Sequence, residues 1–248
     1  MSHYIYQEVD WPKFIWDREA IALPMAAVQN RQGRLFGRME GLGFPQRDAT
    51  VLGTLASDVI KSSEIEGEVL NAQQVRSSIA RRLGVKIAGM VPAARQVDGV
   101  VEMALEAAQN YDKPLTKERL FRWHTLLFTP RARGKAGITA GAWRDDAKGP
   151  MQVVSGAMGR EKVHYQAPTA ESLPAEMDAF LNWVNTTGDV DPLLKAAVAH
   201  LWFVTIHPFD DGNGRIARAT ADWALARAEA SPHRFYSMSA QIRRERGK

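Results

Sequence analysis

The stretch from residue 192 to residue 206 constrains the fold most, because it has the pattern of a helix buried on nearly every side. Asp191 and Pro192 suit the N-cap and the first turn of a helix. The residues that follow are apolar at all but three positions. A helix without a polar face has to be covered by other elements. The sequence therefore predicts a packed core with this helix inside it.

Helical periodicity recurs along most of the chain, so the predicted fold class is all-α. Asn71 and Thr116 suit the N-caps of two of the helices. The predicted helices cover residues 48–62, 72–83, 97–109, 116–128, 173–185, 192–206 and about 215–229.

Two segments depart from the helical pattern. Residues 151–168 contain two short runs with β propensity, QVV and KVHY, on either side of a turn with glycine, which predicts a small hairpin. Residues 84–93 are predicted to link two regions of the chain. We expect an N-terminal helical region at 1–90 and a larger core at 91–248.

Composition excludes several classes of site. The chain of 248 residues is 45% hydrophobic and 24% charged, as expected of a folded protein. It has no cysteine, which rules out disulfides, thiol nucleophiles and zinc–thiolate sites. No apolar run approaches the roughly 18–20 residues that cross a bilayer, and the N-terminus lacks the pattern of a secretory signal. We therefore expect a cytoplasmic protein without a membrane partner.

The charge balance argues against a nucleic-acid partner. The net charge is only +4, from 32 basic and 28 acidic residues. A nucleic-acid binder usually carries a basic face with aromatic residues among the charges. Here the surplus lies in a terminal run that we expect to be solvated, with Arg243, Arg244, Arg246 and Lys248.

The stretch from His207 to Arg218, HPFDDGNGRIAR, has the chemistry of an anion site. Gly212-Asn213-Gly214 tolerates positive φ and can turn successive amides toward an anion. The helix that follows adds the positive end of its dipole. Arg215, three residues before Arg218, lies with it on one face of the first turn. Arginine side chains here oppose the helix dipole, and a bound phosphate offsets that cost.

Two further side chains of this stretch are suited to chemistry on a phosphate. Asp211 supplies a carboxylate of the kind that holds Mg²⁺ between phosphates. His207 can accept a proton near neutral pH. The residues themselves are compatible with an enzyme or with a non-enzymatic module that binds a nucleotide as a regulatory ligand. An intact base and metal ligand favour the enzyme.

The same stretch resembles the Fic-family motif HPFx(D/E)GNGRxxR and matches it at every specified position. The likeness to the family's catalytic core covers about residues 95–230. It implies a Fic-like helical core with one small β-hairpin flap and an N-terminal helical extension. It also implies transfer of AMP from ATP to a hydroxyl side chain of a target protein.

The resemblance assigns roles to the residues of the motif. His207 would take the proton from a Ser, Thr or Tyr hydroxyl, and Asp211 would bind Mg²⁺. Phe209 would anchor the loop in the core. Backbone amides would cradle the phosphates, with help from the Asn213 side chain, while the two arginines would hold the β- and γ-phosphates. The implied ATP-binding residues are Gly212, Asn213, Gly214, Arg215 and Arg218.

The predicted hairpin lies where Fic proteins carry a flap over the active site. Val163, His164 and Tyr165 are candidate contacts for an extended target segment that adds to the hairpin as a strand. Packing within the hairpin is the alternative interpretation of His164 and Tyr165. Arg144 belongs to a segment, GAWR, that resembles a recurrent Fic segment, and we expect a structural role for it.

Residues 62–67, SSEIEG, resemble the inhibitory motif (S/T)xxxE(G/N) of autoinhibited Fic proteins. Ser62 and Glu66 are four apart and share a helix face. The resemblance implies that Glu66 pairs with Arg218 and occupies the space that the γ-phosphate of ATP needs. Glu64 lies off this face, and we expect it to have no such role.

Several functional points stay open at the level of the sequence. The same residues also suit the reverse chemistry, in which Glu66 orients a water for removal of AMP from a modified protein. The nucleotide among ATP, UTP and GTP, the target protein, self-modification and assembly as a homodimer are not determined by the motif.

Overall fold

The computed structural model describes residues 3–128, 138–156, 160, 162–186, 188 and 190–245. Within these residues the chain is mainly helical and contains one two-stranded antiparallel sheet. The predicted all-α fold class with a small hairpin is thereby confirmed. Part of the predicted hairpin turn (157–159 and 161), together with Arg246 and Lys248 of the predicted solvated tail, lies outside the described residues.

The helices and strands of the described chain are numbered here in chain order. They are α1 (Arg18–Glu40), α2 (Phe44–Ile65), α3 (Ala72–Leu83), α4 (Arg95–Gln109), α5 (Lys117–Leu127), β1 (Gln152–Ser155), β2 (Lys162–Gln166), α6 (Leu173–Asn185), α7 (Pro192–Ile206), α8 (Asn213–Ala228) and α9 (Met238–Glu245). Two short 3₁₀ helices lie at Ile5–Gln7 and Ala170–Ser172.

Local capping chemistry sets several of these bounds, as the sequence predicts. The side chain of Asn71 accepts a hydrogen bond from the amide of Gln74 at 3.0 Å, and that of Asp191 accepts from Leu193 at 2.8 Å. Thr116 caps α5 in the same way. The predicted bounds of α3, α6 and α7 are confirmed to the residue.

Two helices were missed by sequence reasoning, and α2, α4 and α8 begin earlier than predicted. Helix α1 has no buried residue and contains Pro24 and two glycines, so it lacks the apolar stripe that predicts a helix. Helix α9 is short. Helix α2 begins at Phe44 rather than 48, because Pro45 is accommodated in its first turn.

The chain divides into two compact units that are not continuous in sequence. Unit 1 comprises Met1–Phe14 and Pro114–Ala221, and unit 2 comprises Ile15–Lys113 and Asp222–Lys248. The predicted domains at 1–90 and 91–248 stay a prediction. None of the described helices combines the length and the apolar character that crossing a membrane demands.

Unit 1 is built round α7, of which seven residues are buried, but Leu201 is 44% exposed, so the helix is less completely covered than its composition predicts. The rings of Trp202 and Phe203 on α7 pack edge to face against Phe180 of α6. Their centroids lie 5.6 Å and 5.7 Å, respectively, from that of Phe180. The hairpin β1–β2 belongs to the same unit. Its strands pair Val154 with Val163, with an irregularity between Val153 and Val154.

Unit 2 packs α2 against α3, α4 and α9. A buried polar cluster lies inside it, between α2, the end of α8 and the segment before α9. Arg234 pairs there with Asp222 at 3.2 Å and with Glu229 at 3.1 Å. Tyr236 donates a hydrogen bond to Glu229, and Asp58 accepts one from Ser237. The polar side chains of this cluster are therefore hydrogen-bonded to one another.

Candidate active site

His207 lies immediately after α7 in the left-handed conformation, with φ 53° and ψ 57°. Its amide still donates to the carbonyl of Phe203 at 3.0 Å, so the residue caps the helix. The ring atom Nδ1 lies 3.1 Å from the carbonyl oxygen of Val204. A carbonyl can only accept, so in the neutral ring Nδ1 carries the proton and Nε2 is the basic nitrogen. The geometry thus prepares Nε2 for proton uptake.

The loop after His207 is closed by the side chain of Asn213. Its Oδ1 accepts from the amide of Phe209 at 2.9 Å, and its Nδ2 donates to the carbonyl of Phe209 at 2.7 Å. Phe209 itself is fully buried, which confirms it as a core anchor. The contact of the Asn213 side chain with phosphate stays a prediction, whereas its role in closing the loop is visible.

Gly212 is required by the shape of this loop. Its φ is +81°, and a Cβ at this position would lie 2.8 Å from Cε2 of Phe128. Helix α8 begins at the next residue, Asn213, slightly earlier than predicted. The first amides of a helix have no partner within it, and here they belong to Asn213, Gly214 and Arg215. The predicted cradle of amides therefore coincides with the first turn of α8.

The two motif arginines are buried at the start of α8. Arg215 is 2% exposed and Arg218 is 6% exposed. The guanidinium of Arg215 lies 5.3 Å from the ring centre of Phe128 and 3.9 Å from the carboxylate of Asp211. Burial lowers the pKa of His200, and the charge of Arg218 lowers it further. This end of α8 thus concentrates positive charge.

Asp211 suits the magnesium ion that the motif implies. Its side chain is half-buried beside the first turn of α8, and its Oδ1 accepts from the amide of Gly212 at 2.6 Å. The described residues contain no cluster of three or more potential metal-binding side chains. Mg²⁺ binds through one or two carboxylates plus phosphate oxygens and water, so a single carboxylate beside a phosphate cradle fits it.

His124 is a site residue that sequence reasoning missed. It is fully buried, its ring stacks on Phe209 at 4.2 Å, and burial lowers its pKa to about 4. Its Nδ1 accepts from the amide of Gly141 at 3.0 Å, so Nε2 carries the proton and donates to the carbonyl of Asp211 at 3.2 Å. The neutral ring therefore supports the backbone of Asp211. Only its place in a helix was visible in the sequence.

The hairpin residues differ in their exposure. Val163 and His164 are exposed, and His164 pairs across the hairpin with Ser155 at 2.5 Å. Tyr165 is half-buried, and its hydroxyl donates to the carbonyl of Thr205 at 2.6 Å. Tyr165 thus fastens the hairpin to the last turn of α7, while target docking by these residues stays a prediction.

The predicted inhibitory pair lies in unit 2. Ser62 is buried on α2, and Glu66 is exposed at the C-cap of that helix. Glu64 forms an ion pair with Lys61 at 2.9 Å, in keeping with a role outside the motif. The pairing of Glu66 with Arg218, which would join residues of the two units, stays a prediction.

Known proteins resemble two parts of the chain. The Fic/DOC family matches residues 114–225, and a domain of unknown function, DUF4172, matches residues 4–85. The uridine 5'-monophosphate transferase of Xanthomonas campestris pv. campestris (strain 8004) is 29% identical over 127 residues, which are 48% of this chain and 22% of that protein. The protein adenylyltransferase Fic of Nematostella vectensis is 40% identical over 67 residues, which are 26% of this chain and 16% of that protein. The chain thus covers less than a quarter of these relatives.

A solved structure shows the same fold. A Fic-domain-containing signaling protein from Bacteroides thetaiotaomicron VPI-5482 matches 86% of this chain and 78% of its own, with a TM-score of 0.62 and 21% identity. The family match at 114–225 includes the hairpin, α7 and the loop from His207 to Arg218. Sequence motif, family match and shared fold agree that residues 114–225 of this chain form a Fic domain.

Proposed function

We propose that this protein is a nucleotidyltransferase that moves AMP from Mg-ATP to a Ser, Thr or Tyr hydroxyl of a target protein. The observation that supports it most is the hydrogen bond from His207 Nδ1 to the carbonyl of Val204, which leaves Nε2 as the basic nitrogen of the ring. The curated relatives named as protein adenylyltransferases support the same class of reaction.

The proposed step is an in-line displacement at the α-phosphorus. Nε2 of His207 accepts the proton of the target hydroxyl, and the hydroxyl oxygen forms a bond to the α-phosphorus. The bond between the α-phosphorus and the oxygen bridging to the β-phosphate breaks, and pyrophosphate leaves. Arg215 and Arg218 neutralise the charge on the leaving group, while the first amides of α8 orient the phosphates.

Asp211 would hold the Mg²⁺ that accompanies ATP. The ion neutralises negative charge on the phosphate oxygens when it is bound. The support that His124 gives to the carbonyl of Asp211 keeps this carboxylate in a defined place.

Glu66 and Ser62 form the proposed inhibitory device. A carboxylate paired with Arg218 would compete with the γ-phosphate of ATP for the same guanidinium. ATP would then bind with its α-phosphate out of line, and a displacement of about 1 Å is enough to slow transfer about 100-fold. In the alternative reaction, Glu66 orients a water for removal of AMP.

The hairpin is the proposed docking site for the target. Val153, Val154 and Val163 are partly exposed on it, and an extended segment can add to its edge as a strand. Val163, His164 and Tyr165 would then lie along the docked segment. The proposal does not identify the target protein. It includes self-modification, assembly as a homodimer and a cytoplasmic location.

UMP transfer is a second candidate, because the named uridine 5'-monophosphate transferase matches the longer stretch of this chain. The chemistry at His207 is the same for either nucleotide. The difference would lie in the pocket for the base.

Transfer of labelled nucleotide tests the proposal. The Glu66→Gly variant is incubated with labelled ATP, UTP or GTP and a cell lysate, and label in protein is measured. We expect label from ATP and none when His207→Ala is added to the same chain, while calorimetry still shows ATP binding. Label from UTP alone would establish the second candidate. Absence of label from all three nucleotides would refute the proposed function, and release of AMP from a pre-modified target would establish the reverse reaction.

A further inference from the structure

Arg144 is a buried cation whose side chain contacts three separate segments of unit 1. Its side chain has no exposed surface. Nε donates to the carbonyl of His207 at 2.8 Å, Nη2 to the carbonyl of Pro168 at 2.5 Å, and Nη1 to the carboxylate of Asp146 at 2.7 Å. A planar guanidinium can satisfy three acceptors in fixed directions, which a lysine ammonium cannot reproduce.

The first of these contacts acts on the backbone of the proposed base. His207 has the left-handed conformation, which is unfavourable for a residue with a side chain. Arg144 holds the carbonyl of His207 through Nε, and its own amide donates to the next carbonyl, that of Pro208, at 2.9 Å. Two consecutive carbonyls are therefore held by one residue. The direction in which the imidazole projects depends on that part of the backbone.

The second contact acts on the base of the hairpin. Pro168 follows β2 by two residues, and the amide of Ala167 between them donates to Met151 at 2.9 Å on the other side of the hairpin. Asp146, the ion-pair partner of Arg144, accepts the amide of Ala170 through its other oxygen at 2.7 Å. The backbone at Pro168 is thus tied directly to Arg144, and the backbone just after it is tied to Arg144 through Asp146.

We propose that Arg144 is a positioning residue, which sets the backbone of His207 and the base of the hairpin in one fixed arrangement. The proposal rests on the proposed function, in which the hairpin docks the target segment and His207 takes the proton of the target hydroxyl. A buried ion pair contributes little net stability and can be replaced by apolar side chains. Packing alone does not require a charged side chain at position 144. A positioning role explains why Arg144 is there.

Kinetics of two substitutions test the positioning role. In the Glu66→Gly chain, Arg144→Lys keeps the charge and Arg144→Gln removes it. We expect both to lower kcat for AMP transfer about 100-fold while the Kd for Mg-ATP changes less than threefold, because positioning affects the reacting geometry. Arg95→Gln, at an exposed arginine at the start of α4, is the control and should leave both values unchanged. Full activity of Arg144→Lys would overturn the proposal, as would a parallel loss of ATP binding and kcat.

Hydrogen exchange supplies a readout that does not require activity. We expect the amides of β1 and β2 to exchange at least tenfold faster in both Arg144 variants, measured relative to the amides of α6 in the same chain, which report any general loss of stability. Asp146→Asn, which keeps Arg144 but removes its charged partner, should give a smaller increase in the same strands. If Arg144→Gln fails to fold and Asp146→Asn exchanges like the parent chain, Arg144 is a folding residue only and the proposal is wrong.

The two readouts separate this proposal from the proposed function. If no nucleotide labels any protein, the proposed function fails, and faster exchange confined to the hairpin still shows the link through Arg144. If transfer occurs and exchange in the hairpin is unchanged by Arg144→Gln, the function stands and the positioning proposal fails.

Discussion

At the scale of single residues, the site depends on a histidine held where glycine is favoured. Helices often end with a glycine in the left-handed conformation, and here the residue in that position is His207. The conformation costs about 1–2 kcal/mol. Its consequence is that the imidazole can bond back to Val204 through Nδ1 and keep Nε2 as the base. The local strain and the proposed chemistry therefore belong to the same residue.

His124→Phe tests the support under Asp211. Phenylalanine keeps the stacking on Phe209 but cannot accept from Gly141 or donate to the carbonyl of Asp211. We expect the free energy of unfolding to fall by about 1–3 kcal/mol, because the Gly141 amide loses its partner. Transfer activity should fall at least tenfold as the loop shifts. Urea denaturation and the transfer assay measure the two effects, with His3→Phe at an exposed histidine as the control. Unchanged stability would contradict the hydrogen bonds described for His124.

Gly212→Ala tests the shape of the loop. The added Cβ would meet the ring of Phe128 at 2.8 Å, at a φ of +81° that alanine disfavours. We expect a loss of about 1–3 kcal/mol in the free energy of unfolding and loss of measurable ATP binding. Gly33→Ala in α1 is the matched control, because a Cβ there meets nothing within 4 Å and should be neutral or stabilising. Equal effects of the two changes would show that the loop adapts.

At the scale of elements, the site is made by one helix end and one helix beginning. Helix α7 ends at Ile206 and supplies His207, while α8 begins at Asn213 and supplies amides and two buried arginines. The side chain of Asn213 bonds to both the amide and the carbonyl of Phe209, and so closes the loop between the two helices. The proposed base and the proposed phosphate cradle therefore belong to the same helix–loop–helix unit.

The end of α2 is the element on which the proposed inhibition depends. We expect Glu66→Gly to raise transfer of AMP at least tenfold, because the carboxylate that competes for Arg218 is removed. Labelled AMP in protein is compared between this variant and the parent chain. Glu64→Gly is the matched control, since Glu64 pairs with Lys61 and should leave transfer unchanged. Equal rates for the parent chain and Glu66→Gly would remove the inhibition from the proposal.

At the scale of the whole molecule, each unit joins segments that are far apart in the sequence. The short N-terminal segment belongs to unit 1, where Tyr4 packs edge to face on Tyr165 at 5.1 Å. The C-terminal segment belongs to unit 2, where Ser237 and the amide of Ser239 bond to Asp58 of α2. Both of these segments thus pack onto their units through contacts that local sequence patterns do not predict.

Asp222→Asn tests the buried cluster of unit 2. Burial raises the pKa of Asp222 well above its ordinary value of 3.8, the charge of Asp58 raises it further, and Arg234 offsets part of the rise. The folded state therefore keeps a proton that the unfolded chain releases, so stability is lost as the pH rises above about 4. The groups that face Asp222 are Asp58, Glu229, Arg234 and Tyr236.

We expect the Asn variant to gain stability relative to the parent chain as the pH rises from 4 to 8. Urea denaturation at several pH values measures the difference. Asp178→Asn, at an exposed acid on α6, controls for the change in net charge. A difference that does not vary with pH would show that Asp222 is not protonated in the folded chain.

Features that depend on neighbours along the chain could be predicted from the sequence. They include the motif from His207 to Arg218, the caps at Asn71 and Asp191, and the apolar pattern of α7, which follow from local chemistry and periodicity. The contact of Arg144 with His207, 63 residues away, and that of His124 with Asp211, 87 residues away, are visible only in the folded chain. Such contacts leave no periodic signal, because a buried polar side chain is stabilised by whichever distant segment folds against it.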